Sequence, residues 1–361
     1  MATNDTDDVS NISVISVGVF SGSDSKLADT SLFAVTHILS NLVIGGLGTL
    51  VISLFGVISN VINCLVFYHQ GLRDRMNLCL FSLALSDFWF VLCSAVYSLV
   101  KVFSILYLKG FAEEVKLYTI NYGIGVIYAF RTTSGLYLMV IAVERCVCVA
   151  FPFQASSLIK TRTMAMFLSI IALISHLGFI GQSLKYKVIE TEVGGWQIVP
   201  SSLWLKNRIV IDTIVYVIFT ISVPLITFLT VSLATFITVI KLTSAMAWRR
   251  KTSSTSTDQD DRQTALTKML VLASCVYILS MMPMVLIKAV RLFVEEFSSY
   301  GVYASLYGVC NAVADISPVI NSSVYVFIYY NRSARYRHEL SAACIYTKKH
   351  SMKTSSLSNN T

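Results

Sequence analysis

NLVIGGLGTLVISLFGVISNVINCLVFYH, residues 41–69, contains no Asp, Glu, Lys or Arg. A helix of about 20 apolar residues crosses the roughly 30 Å of hydrocarbon in a bilayer, so this stretch is long enough to span one. Backbone inside lipid has no water to bond with, which leaves the helix as the form such a run takes. Six further apolar runs follow at 76–100, 117–143, 163–184, 209–240, 269–287 and 300–330. Short connections join most of them. The chain therefore reads as all-α, a seven-transmembrane helix bundle over 41–330, with tails at 1–40 and 331–361.

Composition points the same way. Hydrophobic residues make up 55% of the chain and charged residues 13%, with a mean hydropathy of +0.68. A soluble domain carries about 25% charged residues. A soluble enzyme is excluded, and no H-E-x-x-H or G-x-S-x-G motif marks a membrane-bound one. The net charge of +8 reads as basic residues gathered in cytoplasmic loops beside anionic lipid, not as a nucleic-acid surface. None of the eight cysteines falls in the N-terminal tail or a predicted outer loop, so no outer disulfide framework is expected.

Lys and Arg in short loops set orientation. Arg73, Arg75, Arg145, Lys160, Arg162, Lys241, Arg249 and Lys268 share one side with the C-terminal tail. The other side has fewer, offset by Glu113, Glu114, Glu190 and Glu192. This places the C-terminus inside and the N-terminus outside, in the plasma membrane. An outside tail makes the sequons at Asn4 and Asn11 usable for glycosylation. Asn331 to Ile345 is basic and amphipathic, which suits a short helix on the inner membrane face. Cys344 at its end is a palmitoylation candidate. Residues 241–266, with their Ser/Thr-rich centre, read as a mobile inner loop.

Polar residues within the runs are costly in lipid and mark function. At 1.5 Å per residue, Asp87 lies roughly 18 Å above the inner edge, Asn60 roughly 14 Å, Ser134 roughly 17 Å and Asn321 roughly 15 Å. One layer of four polar side chains reads either as a hydrated pocket holding a cation beside Asp87 or as a structural hydrogen-bond network. Higher up, Arg131 and Asp315 match in depth and oppose in sign. They read either as a structural ion pair or as ligand contacts.

Six short motifs fall in order along the runs: Gly56-x-x-x-Asn60, Leu83-Ala84-Leu85-Ser86-Asp87, Glu144-Arg145-Cys146 with Pro152 beyond it, Pro224, Pro283, and Asn321-Ser322-Ser323-Val324-Tyr325. Together they resemble the rhodopsin-like (class A) G-protein-coupled receptors over roughly 45–345. The resemblance implies a sodium-linked pocket at Asp87, Asn60, Ser134 and Asn321. It implies that Glu144 holds Arg145 at rest and releases it to a heterotrimeric G protein, that Tyr325 swings inward, and that arrestin is a further partner. Pro224, Pro283 and Pro318 would supply helix bends. Departures from the family pattern are Cys146 for tyrosine, Ser322 for proline and Met281 for tryptophan. The usual run-four tryptophan is absent, and His176 in that run reads as a packing residue. The family's outer disulfide lacks both partners, with Ile120 at one position and no cysteine in 184–208, which would leave that loop less restrained.

The resemblance also bears on the ligand. Ile127 stands where amine receptors carry aspartate, and Asp315 where opsins carry lysine, so neither ligand type fits. An outer cavity lined by Ile127, Tyr128, Arg131, Met281, Lys288, Arg291, Cys310 and Asp315 has excess positive charge, which suits a peptide or a small acidic or zwitterionic molecule. Lys288 and Arg291 read equally as residues snorkelling to the interface. The divergence is similar to that of invertebrate peptide or chemosensory receptors. The rival reading is a transporter or ion channel using Asp87, Arg131 and Asp315, against which no internal repeat is found.

Overall fold

The computed structural model describes residues 39–106, 111–151, 160–192, 194–252, 258–298 and 301–342. Asn4, Asn11, Pro152, the Ser253–Thr257 stretch and Cys344 lie outside them. Seven helices are long and apolar enough to cross a membrane. They are α1 (Leu39–Gln70), α2 (Arg75–Leu106), α3 (Glu114–Ala150), α4 (Thr161–Leu184), α5 (Ser202–Ala247), α6 (Asp258–Phe293) and α7 (Ala304–Arg332). A short helix, α8, covers 334–342. The end bearing Arg75, Arg145 and α8 is called the inner end, following the Lys/Arg bias.

Each expected run coincides with one helix, but most helices run further. Asp74 caps α2, its Oδ1 accepting from the Met76 amide at 2.7 Å. The Ser201 hydroxyl caps α5 through the Trp204 amide. The inner loop expected over 241–266 is largely helical: helix continues through Thr252 and resumes at Asp258. Outside lipid the chain there holds Ala, Met, Lys, Arg and Gln with no Gly or Pro, a composition that favours helix.

The chain is not purely helical. Strand β1 (Tyr186–Glu190) pairs antiparallel with β2 (Trp196–Pro200), in register from Tyr186 opposite Pro200 to Glu190 opposite Trp196. The turn uses Gly194 at φ 79°, where a side chain would be strained. This hairpin packs against the outer end of α3.

Lipid reverses the usual amphipathic logic. Lipid tails match leucine, so helices associate through close packing and interhelical hydrogen bonds instead of a hydrophobic drive. On α1 the buried positions include Ser53, Gly56, Ser59, Asn60 and Asn63 at helical spacing, with Val66 and Phe67 nearer the inner end. The opposite face shows Val51, Leu54, Ile58 and Leu65. The small face lets α7 approach closely: a Cβ built on Gly56 would stand 2.3 Å from Ser323 Oγ and 3.2 Å from Val91 Cγ1. Ser323 cannot simply turn away, because its hydroxyl donates to Val319 O at 2.7 Å.

Gly56→Val is therefore expected to destabilise the bundle by about 1–3 kcal/mol, the usual cost of overpacking. Thermal unfolding in detergent checks this. An unchanged midpoint would mean that α1 and α7 do not meet as closely as described.

Candidate functional site

Three levels of polar structure stack along the bundle. The central level is built on Asp87, which is wholly buried on α2. Its Oδ1 accepts from Ser134 of α3 at 2.5 Å and from Ser322 of α7 at 2.7 Å. Asn60 of α1 joins indirectly, donating to the Ser322 carbonyl at 2.8 Å. Asn321 is turned to Tyr325, whose hydroxyl donates to Asn321 Oδ1 at 3.1 Å. Asp87, Ser134 and Asn60 thus lie together as the depth argument expected. Ser322, which that argument passed over, is a direct partner of the carboxylate. Its signal was legible: a hydroxyl where the related pattern has proline can donate from its side chain.

Asp87 Oδ2 has no hydrogen-bond partner and no exposure. A buried carboxylate oxygen left unpaired is costly, which favours a cation or a proton at that oxygen. The nearby oxygens are hydroxyls and a carboxylate, a hard donor set of the kind that suits an alkali cation. On this ground the residues fit a sodium ion.

The layer also continues to the inner end. Asn63 donates to Asn60 Oδ1 at 3.4 Å, and Tyr336 of α8 donates to Asn63 Oδ1 at 2.7 Å. Burial pushes the Tyr336 hydroxyl above the ordinary tyrosine range, which keeps the proton it donates. Two arginines of α8 satisfy free helix ends: Arg335 donates to Gln70 O and Arg337 to Tyr330 O. The short basic helix expected on the membrane face is thus anchored inward through Tyr336 as well.

The inner level centres on Glu144 and Arg145, both buried on α3. Arg145 Nε donates to Glu144 Oε2 at 2.5 Å and Nη2 to Oε1 at 2.7 Å. Tyr325 is already inside the bundle, stacked on Tyr329 with 6.0 Å between centroids. Of the three prolines expected to bend helices, Pro283 and Pro318 sit within helices and Pro224 near the start of the regular part of α5. A π-helical stretch, Thr213–Ser222, precedes Pro224.

The outer level holds two cavities of about 670 Å³ each. One lies toward α1, α2 and α7 and includes Lys101, Ile127 and Ser98 in its wall. The other lies toward α5 and α6 and includes Phe219, Lys288 and Arg291. Tyr128, Arg131, Tyr307, Asn311 and Asp315 border both. Arg131 and Asp315 do meet, at 3.9 Å, with Asp315 55% exposed to the cavity and Arg131 12% exposed. Asn311 orients the carboxylate from one turn away, at 2.9 Å. Arg131 also donates to Met284 Sδ.

Of the expected ligand residues, Met281 lies away from the cavities, while Lys288 and Arg291 border the second one and are held by further contacts. Met281 is buried in the inner core cluster with Tyr277, one turn below Met284, which does line the second cavity. Lys288 neither snorkels nor hangs free: its Nζ donates to the Thr220 carbonyl. Pro224 has no N–H to offer that carbonyl four residues back, so Lys288 staples α6 to the gap in α5. Arg291 lies over the Tyr307 ring at 5.9 Å, a cation–π contact. His176 packs as expected, edge-on to Phe130 at 4.6 Å.

The outer hairpin is better held than a missing disulfide suggested. Lys185 is 1% exposed and sits 2.5 Å from Asp212 Oδ1. The same oxygen accepts from Trp204 Nε1 at 3.1 Å, and Lys185 lies 3.6 Å above the Tyr216 ring. Asn121, next to Ile120, donates to the Tyr186 carbonyl at 2.9 Å. A half-buried ion pair and an α3-to-β1 hydrogen bond together tether the loop to the bundle.

The Arg131–Asp315 contact gives a direct prediction. Each single reversal, Arg131→Asp or Asp315→Arg, should lower the yield of folded protein. The double reversal should recover part of it, because the opposite charges still face each other. Recovery measured by size-exclusion homogeneity should be partial, since the long 3.9 Å contact is weaker than a bonded pair. No recovery at all would remove the pairing.

The model of the family described as 7 transmembrane receptor (rhodopsin family) matches residues 59–325. No curated protein matches the chain. The family match begins one residue before Asn60 and ends on Tyr325, so it takes in both the Asp87 and the Glu144 clusters, and the chain belongs to the rhodopsin family of seven-transmembrane receptors.

Proposed function

We propose that the protein is a G-protein-coupled receptor of the plasma membrane, of peptide or chemosensory type, with its N-terminus outside. An extracellular ligand enters the two outer cavities, and helix rearrangement frees Arg145 for a heterotrimeric G protein. The observation that carries this reading is the buried Glu144–Arg145 pair at the inner end. A buried charge pair can be a two-state element, because parting it exchanges one set of bonds for another. Arrestin would meet the same inner surface.

The ligand carries an acidic group. Lys101, Arg131, Lys288 and Arg291 border the cavities against the single carboxylate of Asp315. Cations that line a cavity recruit carboxylates through charge-assisted hydrogen bonds. A peptide with an acidic side chain or free C-terminus and a small acidic or zwitterionic molecule both meet that demand. A sodium ion would be held by Asp87, Ser134 and Ser322, supplying the counter-charge that Asp87 Oδ2 lacks.

Three measurements test the proposal. Arg145→Ala should abolish nucleotide exchange on the G protein while leaving surface expression largely intact; exchange at the wild-type rate would sink the switch. Sodium chloride should raise the unfolding midpoint relative to N-methylglucamine chloride at equal ionic strength, the folded state gaining about 1.4 kcal/mol at ten times the dissociation constant. Asp87→Asn should lose that difference, and Ser322→Ala should weaken it. A screen of acidic peptides and small acids with a calcium or cyclic-nucleotide readout addresses the ligand. Ion flux in liposomes with no exchange on any G protein would instead support the transport reading.

A further inference from the structure

Glu144 has a second guanidinium partner, on another helix. Arg75, in the first turn of α2, places Nη2 2.7 Å from Glu144 Oε1. Its position is fixed from below, since Asp74 caps that helix through the Met76 and Asn77 amides. Cys148, one turn along α3, sits 3.6 Å from the same carboxylate oxygen as a weak donor. The Glu144 side chain is 4% exposed, so water screens it little.

Consider what parting the pair requires, on the reading above that Arg145 leaves Glu144. Glu144 Oε2 loses its Arg145 donor, and the carboxylate loses one of two counter-charges. Without another cation it would be a buried, unpaired charge, one of the more costly states a protein interior can hold. The switch would be locked shut by its own electrostatics. We propose that Arg75 is the resident counter-ion that keeps Glu144 paired after Arg145 departs, and so sets how readily the switch opens. Arg75 is suited to this because it is anchored on α2, and Arg145 can move without dragging it. It acts through Glu144, as a positioning residue.

The decisive test needs no ligand. Arg145→Ala imitates the departed arginine. Thermal unfolding of the full-length protein in nanodiscs is measured for Arg75→Met, Arg145→Ala, the double variant, and the double variant with Glu144→Gln added. Each single change should lower the midpoint modestly. The double should lower it by clearly more than the sum, or yield no folded protein, because Glu144 then has no counter-charge. Adding Glu144→Gln should restore folding, since no charge remains to be orphaned. Arg75→Lys in the Arg145→Ala background should keep most of the stability. An additive double variant, or a loss that Glu144→Gln does not relieve, overturns the proposal.

A functional arm separates this from the switch reading itself. Ligand-independent nucleotide exchange should fall at least about tenfold in Arg75→Met, since the open state is disfavoured by an unpaired carboxylate. It should return in Arg75→Met/Glu144→Gln to the level of Glu144→Gln alone. Exchange at or above wild type in Arg75→Met overturns the role of Arg75. Wild-type exchange in Arg145→Ala overturns the switch reading while leaving the unfolding result to judge the pairing.

Discussion

A carboxylate enclosed in the middle of a membrane is the constraint around which this bundle is arranged. Asp87 cannot be hydrated from bulk water, and lipid offers nothing in return. Its neighbours must therefore come from other helices, and they do: Ser134 from α3 and Ser322 from α7. Those two bonds fix three helices at one depth. Apolar contacts alone would not, because sliding one leucine-rich helix along another costs little in lipid.

The same need to satisfy polar atoms explains features that look unrelated. Lys288 answers the carbonyl that Pro224 leaves open. Arg335 and Arg337 answer the free carbonyls at the inner ends of α1 and α7. Lys185 and Asp212 answer each other under the outer hairpin. In each case a long side chain bridges elements that no disulfide joins. The central level also reaches α8: Tyr336, Asn63 and Asn60 are linked in turn to the Ser322 carbonyl, and the Ser322 hydroxyl donates to Asp87.

Much of this was legible in the sequence because membrane helices are one-dimensional objects. Run length gives the helix, and counting residues from a charged end gives depth. That is why Asp87, Ser134 and Asn60 were grouped correctly, and Arg131 matched with Asp315. Depth does not give azimuth. Two residues at one level can point into the bundle or past each other, so Asn321 was grouped with Asp87 although its side chain turns to Tyr325. Met281 reads as a cavity residue by the family resemblance, but the cavity floor lies one turn above it, at Met284. Arg75 reads in the sequence as one of the basic residues that set orientation, since nothing in a linear pattern says that it reaches across to α3. The hairpin had its signal, two β-branched stretches about Gly194-Gly195, but an all-helical expectation left it unread.

Replacing proline with Ser322 changes what the seventh helix can do at Asp87. Proline there would remove a backbone donor and offer no side-chain oxygen. Serine keeps the backbone bond and adds a hydroxyl aimed at the carboxylate. The helix break moves to Pro318, one turn outward, so the bendable point sits above the Asp87 layer instead of within it. The inner half of α7, from Asn321 to Tyr329, is then tied to α1, α2 and α8 as one polar body. Among the described residues, neither α5 nor α6 gives Asp87 a hydrogen bond. Those two are joined to each other at Lys288 and Thr220, beside the second cavity. A ligand carboxylate that drew Lys288 away from the Thr220 carbonyl would act on that joint directly.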